Sequence, residues 1–214
     1  MELVARKGLQ KLCILVGAGL EDDAVEILID QKMAQAARGK HADALIARKA
    51  LDRLAQRLPT GEGEGHAIAY VHRRVMDPAR PVAAVPIFLN TYYPPNQPRP
   101  ARCYAFGQAL RHAVESFPGD ERIGVLASGG LSHFLVDEDF DRAILKACAD
   151  KDAQFLQTLP RHKLHAGSSE ILNWVVLAGA VEHLDLDWFE YVPGYRTPAG
   201  TGTGLSFATW CGAP

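Results

Sequence analysis

The segment Ser128-Gly129-Gly130-Leu131-Ser132-His133-Phe134 constrains this chain more than any other. It follows the apolar run Ile123 to Leu126, which reads as a short buried strand, so its histidine falls just past a strand end. Two adjacent glycines, lacking Cβ, permit a sharp turn and a close approach of backbone to a ligand. The space beyond the carboxyl ends of strands is where open α/β sheets bind ligands. Taken alone, a histidine in such a place is more often solvated or structural than chemical.

The rest of the chain alternates strand and helix signals, which indicates an α/β domain. Leu12 to Val16 reads as a buried strand ending in Gly17-Ala18-Gly19. Helical patterns follow over Glu21 to Ala37 and His41 to Leu58, the second stopped by Pro59. Thr60 to Gly65 is a glycine-rich stretch leading into His66. Val82 to Leu89 reads as a central strand, although Pro86 has no N–H for a ladder and prefers an edge or bulge. The proline-rich Pro94 to Pro100 is expected to be an extended loop, followed by helices over Ala101 to Glu115 and Glu138 to Ala149. A short helical piece is expected over Ala153 to Leu159. Another helix spans Ser168 to Ala180, with Ser168 as its cap and Glu170 in its first turn.

Bulk properties narrow the function classes. At 214 residues the chain suits one domain with a substantial core, and 48% apolar and 22% charged residues are ordinary for a globular protein. A net charge of −2 gives no electrostatic reason to expect nucleic acid or an anionic membrane. No apolar run approaches the roughly 20 residues that span a bilayer. The opening Met1-Glu2-Leu3-Val4 does not read as a signal peptide, so a cytoplasmic protein is expected. Cys13, Cys103, Cys148 and Cys211 form no C-x-x-C pair and are expected to be buried or idle thiols.

Three catalytic or cofactor classes fail on motif. A dinucleotide fingerprint after Gly17-Ala18-Gly19 needs a third glycine where Asp22 stands. Ser128-Gly129-Gly130 is not the Gly-x-Ser-x-Gly elbow of serine hydrolases. No H-E-x-x-H or cysteine cluster supports a zinc hydrolase.

Three further segments give the histidine turn a context. Val85 to Pro95 ends in Asn90-Thr91-Tyr92-Tyr93-Pro94-Pro95, Arg102-Cys103-Tyr104-Ala105-Phe106-Gly107 opens a helix, and Ser168-Ser169-Glu170-Ile171-Leu172-Asn173-Trp174 opens another. In this order, over roughly Arg57 to Trp210, they resemble the catalytic (beta) subunit of class III extradiol ring-cleavage dioxygenases, the protocatechuate 4,5-dioxygenase beta-subunit superfamily. The resemblance implies an α/β fold with a central mixed sheet flanked by helices, in one domain over 1–214. Residues 1–56 would be a divergent amino-terminal part, and 57–210 the dioxygenase-like region.

The resemblance also implies roles. His133 matches the family's acid/base residue, Glu170 an iron ligand, and His66, in Gly65-His66-Ala67, a residue facing the substrate. Tyr195 to Gly204 resembles a carboxyl-terminal loop near the site. The cofactor implied is iron(II). Two histidines and one carboxylate on one face of that metal leave positions open for a catechol's two oxygens and O2. The partners implied are a catecholic small molecule and O2, in a homo-oligomer that in some members carries a small second subunit. Histidine suits proton transfer in both directions because free imidazole titrates near pH 6.5, about neutrality.

The pattern also departs from the family. The family draws two more iron ligands, both histidines, from an amino-terminal Ser-His-x-Pro and an Asn-Asp-His segment, and neither is found in this sequence. Before His66 the only histidine is His41, in Gly39-Lys40-His41-Ala42-Asp43, which matches neither motif. That portion is then lost or replaced, or the chain is part of a longer product. Two functions follow: an iron(II) extradiol dioxygenase, or a catalytically silent relative that binds an aromatic acid or a protein partner.

Overall fold

The computed structural model describes residues 11–18, 71, 83–117 and 122–212. The helices expected over Glu21 to Ala37 and His41 to Leu58, the glycine-rich stretch before His66, and His66 itself lie outside the described residues.

The described strands fall into two sheets. β1 (Lys11–Ala18) lies between β2 (Ala83–Leu89) and β3 (Arg122–Ser128), both parallel to it, with Leu15 opposite Pro86 and Gly17 opposite Ser128. Pro86 therefore sits on an edge strand among the described residues, where proline is best tolerated in a sheet. The second sheet is antiparallel, in the order β4 (His133–Leu135), β6 (Thr201–Cys211), β5 (Asp185–Tyr195). The α/β class expected from the sequence is observed, with parallel and antiparallel pairing carried by separate sheets.

Helix α1 (Pro100–Glu115) starts on a proline whose fixed φ suits a first turn. Helix α2 (Glu138–Ala149) is capped by Asp137, whose carboxylate accepts from Phe140 N–H at 3.1 Å. Lys163, hydrogen-bonded to the Asp137 carboxylate, holds it below the usual range. Helix α3 (Ala153–Gln157) is capped likewise by Asp152.

Helix α4 (Ile171–Val181) is the centre of the core, with every residue buried. A helix apolar all round must be covered on all sides. It packs on α1 along one side and against β3 and β1 on another. Cys103 and Cys148 are buried in the core around it, and burial pushes both thiols up to about 12, so the expectation of idle thiols holds for these two; Cys211 is exposed. No helix among the described residues is long and apolar enough to cross a membrane.

The α1–α4 contact is backbone against backbone. A Cβ at Gly107 would collide with the Val176 carbonyl, and one at Gly179 with the Tyr104 carbonyl. At the far end Glu182 accepts from Tyr104 Oη (2.9 Å), Gln108 Nε2 (3.1 Å) and Arg111 Nη1 (2.6 Å). Burial opposes ionisation of Glu182, but these three donors hold its carboxyl below the usual range.

Two sequence expectations change. The segment expected as a loop from Tyr195 to Gly204 is the end of β5, a turn, and the start of β6. The turn closes through Arg196 N–H to Thr201 O at 2.7 Å, with Gly200 at φ +80°. The helix expected from Ser168 begins only at Ile171, after a 3₁₀ turn over Ala166–Glu170, and Ser168 does not cap it. Its hydroxyl instead accepts the His133 N–H at 2.8 Å, a tertiary bond that outcompetes the local one.

Gly179→Ala tests the helix contact because two effects oppose. Helix propensity favours alanine by about 1 kcal/mol, whereas forcing a methyl into close-packed backbone costs about 1–3 kcal/mol or more. The substitution should destabilise the chain in urea denaturation, and a gain in stability would show that the helices separate freely.

Candidate active site

The site forms where the end of β3 meets the start of α4. Past Ser128 the chain turns through Gly129 and Gly130, and three side chains of the α4 region seize that turn. Asn173 Nδ2 donates to the Ser128 carbonyl at 2.9 Å, and Trp174 Nε1 to the Gly129 carbonyl at 3.1 Å. The Gly130 N–H donates to Glu170 Oε2 at 2.7 Å. A Cβ at Gly129 would stand 3.0 Å from the Glu170 Cβ and 3.1 Å from Asn173 Nδ2, so the approach requires glycine. The Ser-Glu-x-x-Asn-Trp spacing thus presents Glu170, Asn173 and Trp174 from one side of a helix start to a single turn.

His133 begins β4 and pairs with Thr203 of β6. Its ring lies between two glycines. A Cβ on Gly130 would come within 2.7 Å of the ring Cε1, and one on Gly167 within 2.6 Å of Cγ. Nδ1 lies 2.9 Å from the Leu131 carbonyl oxygen. A carbonyl only accepts, so this bond places a proton on Nδ1, and in the neutral ring the lone pair is then on Nε2. Nε2 stands 3.8 Å from Glu170 Oε2, beyond hydrogen-bond reach. Both side chains are about one-fifth exposed (22% and 23%).

Phe134, next in the chain, has φ +68°, an uncommon conformation for a bulky residue and worth about 1–3 kcal/mol of strain. It is held there from both flanks, by His133 N–H to Ser168 Oγ and by Val136 N–H to the Gly200 carbonyl.

The structure therefore brings together His133 and Glu170, two of the three site residues named from the sequence; His66 lies outside the described residues. The Asn90-Thr91 segment is tied to the same region. Gln97, buried, donates through Nε2 to both Thr91 O and Leu164 O at 2.7 Å. His112, His162, His165 and His183 are exposed. Sequence reasoning missed Asp141, which is fully buried behind the turn and accepts from Ser132 N–H (2.9 Å), Ser132 Oγ (2.6 Å) and Tyr191 Oη (2.8 Å). Four acidic residues in the stretch Asp137 to Asp141 read as a helix start, and nothing in the sequence separates the one that turns inward.

Among the described residues no cluster of three or more His, Cys, Asp or Glu side chains can close around a metal ion. Glu170, the carboxylate matched to an iron ligand by the resemblance, stands beside His133. A two-histidine, one-carboxylate set is thus not completed by the described residues, and it would need imidazoles from outside them, where His41, His66 and His72 stand in the sequence.

A family model described as the catalytic LigB subunit of aromatic ring-opening dioxygenase matches residues 71–206. Gallate dioxygenase of Pseudomonas putida is 30% identical over 115 residues, covering 49% of this chain and 34% of that protein. The chain thus matches about a third of that relative's length.

The seat of the ring is testable without any assay of function. Gly167→Ala should cost about 1–3 kcal/mol in urea denaturation, because the methyl and the imidazole claim the same space. In a His133→Ala background the cost should fall toward zero, as a double-mutant cycle between touching groups requires. Equal costs in both backgrounds would mean that the ring does not lie against Gly167.

Proposed function

Because this chain belongs to the family of catalytic LigB subunits of aromatic ring-opening dioxygenases, we propose that it takes part in extradiol cleavage, the opening of a catecholic ring beside its vicinal hydroxyls by O2. The observation that carries this reading is the His133 ring, fixed with Nδ1–H on the Leu131 carbonyl and Nε2 turned to the gap beside Glu170. In this reading Nε2 takes the proton of a substrate hydroxyl and returns it when the ring has opened. The Leu131 carbonyl keeps the ring oriented in both states, since it accepts from Nδ1–H whether or not Nε2 is protonated. Glu170, steadied by the Gly130 N–H, is the carboxylate ligand for the iron(II) that the resemblance implies. No step is assigned to the metal, whose remaining ligands are not among the described residues.

Thr203 stands opposite His133, and alternation along β6 carries Leu205 and Phe207 on the same face, both exposed. Gallate is the natural first probe, given the Pseudomonas putida relative.

The silent-relative reading keeps one specific support, the absence from the sequence of the two amino-terminal histidine motifs. One experiment separates the two. Anaerobic iron(II) titration of the purified chain should show near-stoichiometric binding that Glu170→Ala abolishes, with oxygen uptake on adding gallate. Absence of specific binding by the unmodified chain would establish the silent relative.

Where turnover is observed, His133→Gln should lower kcat by about 10²–10⁴-fold, the range for a positioned acid/base group. Iron binding should survive this change, because the residue acts on protons. A variant that loses iron as well would make His133 a ligand instead.

A further inference from the structure

We propose that Asp141 is the positioning residue for His133, acting through Ser132. The proposal rests on the reading of His133 as the proton-transfer group, and it adds a residue that neither the sequence motifs nor the family resemblance assigns.

A fully buried carboxylate is costly unless its oxygens are satisfied. Two of the three donors that Asp141 receives come from Ser132 in the histidine turn, and the third comes from Tyr191 of β5. Oδ1 takes the Ser132 N–H, and Oδ2 takes both the Ser132 and Tyr191 hydroxyls. Burial pushes the carboxyl upward, with the Ser132 and Tyr191 bonds pulling the other way. Both lone-pair faces are used as acceptors, which suits the ionised form. The Ser132 hydroxyl also accepts the Asp137 N–H at 2.9 Å, so the start of α2 and the turn are held as one unit.

Strand β6 completes the hold. Leu131 N–H donates to the Gly204 carbonyl at 2.9 Å, and Gly204 N–H donates to the Ser132 carbonyl at 2.8 Å. A Cβ at Gly204 would collide with Asp141 Oδ2, so glycine in β6 is what lets the carboxylate reach Ser132. The peptides on both sides of Ser132 are thereby fixed. One of them carries the Leu131 carbonyl that sets the His133 tautomer, and the next residue is His133 itself. Tyr191 is braced in turn by Arg142, whose guanidinium carbon lies 4.7 Å from the ring centroid.

Asparagine keeps one acceptor oxygen for the Ser132 N–H, and both hydroxyls can turn to accept from its amide. Alanine keeps none. The His133 ring nitrogens therefore report on the link independently of turnover. With ¹⁵N-histidine labelling at about pH 8, where a free imidazole is neutral, the signals of His133 are assigned by their loss in His133→Gln. The unmodified chain and Asp141→Asn should show Nδ1 protonated and Nε2 bare, and Asp141→Ala should show the two tautomers mixed. Ring signals of Asp141→Ala identical to the unmodified chain would overturn the proposal. If Asp141→Ala does not fold, Ser132→Ala cuts the hydroxyl half of the link. It should shift the same signals in the same direction, and unchanged signals there overturn the proposal too.

Where gallate is turned over, Asp141→Ala should lower kcat by about 10²-fold, in the range of a displaced acid/base group, with KM little changed and Asp141→Asn restoring most of the rate. A chain that shows no oxygen uptake at all would sink the functional reading, while the ring signals still decide the positioning role.

Discussion

Everything at the site depends on how closely α4 lies against α1. Two glycines, one on each helix, let backbone meet backbone where a methyl group would collide with a carbonyl. That contact, with the Glu182 hydrogen bonds at its far end, fixes the helix that carries Asn173 and Trp174 and follows directly on Glu170. Because α4 is buried on every side, it cannot slide to accommodate a poor fit at its start. The turn after β3 must therefore meet Glu170, Asn173 and Trp174 where the helix presents them.

The turn is consequently held from two directions by unlike means. From the α4 side, polar side chains grip main-chain groups of Ser128, Gly129 and Gly130. From the other side, a buried carboxylate and a glycine of β6 grip Leu131 and Ser132. His133 stands at the end of both holds, with Ser168 on its N–H and the Leu131 carbonyl on Nδ1. A left-handed Phe134 directly after it is tolerated because its neighbours are bonded on either side. Such a layout fixes the ring by its backbone and one nitrogen, and no described residue hydrogen-bonds the other nitrogen.

Much of this was legible in the sequence, and the reasons differ by element. The strand before Ser128 and the helix from Glu138 to Ala149 came from local runs, whereas His133 and Glu170 were named together from the family resemblance and stand 3.8 Å apart in the fold. The β5–β6 hairpin was not seen, because Gly200, Gly202 and Gly204 give its second strand the composition of a loop. Gly202 and Gly204 answer to distant partners. A Cβ at Gly202 would strike the Gly194 carbonyl, and one at Gly204 would strike Asp141. Ser168 misled for the same reason: a serine before a helix normally caps it, but here a backbone N–H thirty-five residues away takes its hydroxyl. What a sequence window cannot contain is the other half of a long-range contact.

The same distinction bears on the metal. The turn that carries His133 is gripped by residues between Ser128 and Trp174, with Tyr191 and Gly204 added from the β5–β6 hairpin. A two-histidine, one-carboxylate centre would add donors that must be brought to Glu170 from another part of the chain. Glu170 is prepared for such a partner in one respect: Oε2 is held by the Gly130 N–H, which fixes the carboxylate's direction without consuming Oε1. A carboxylate ligand oriented by a backbone hydrogen bond is what an outer shell ordinarily supplies to a metal site. The ring of His133 is thus held through Nδ1 and the carboxylate of Glu170 through Oε2, and the two side chains meet with Nε2 3.8 Å from Oε2.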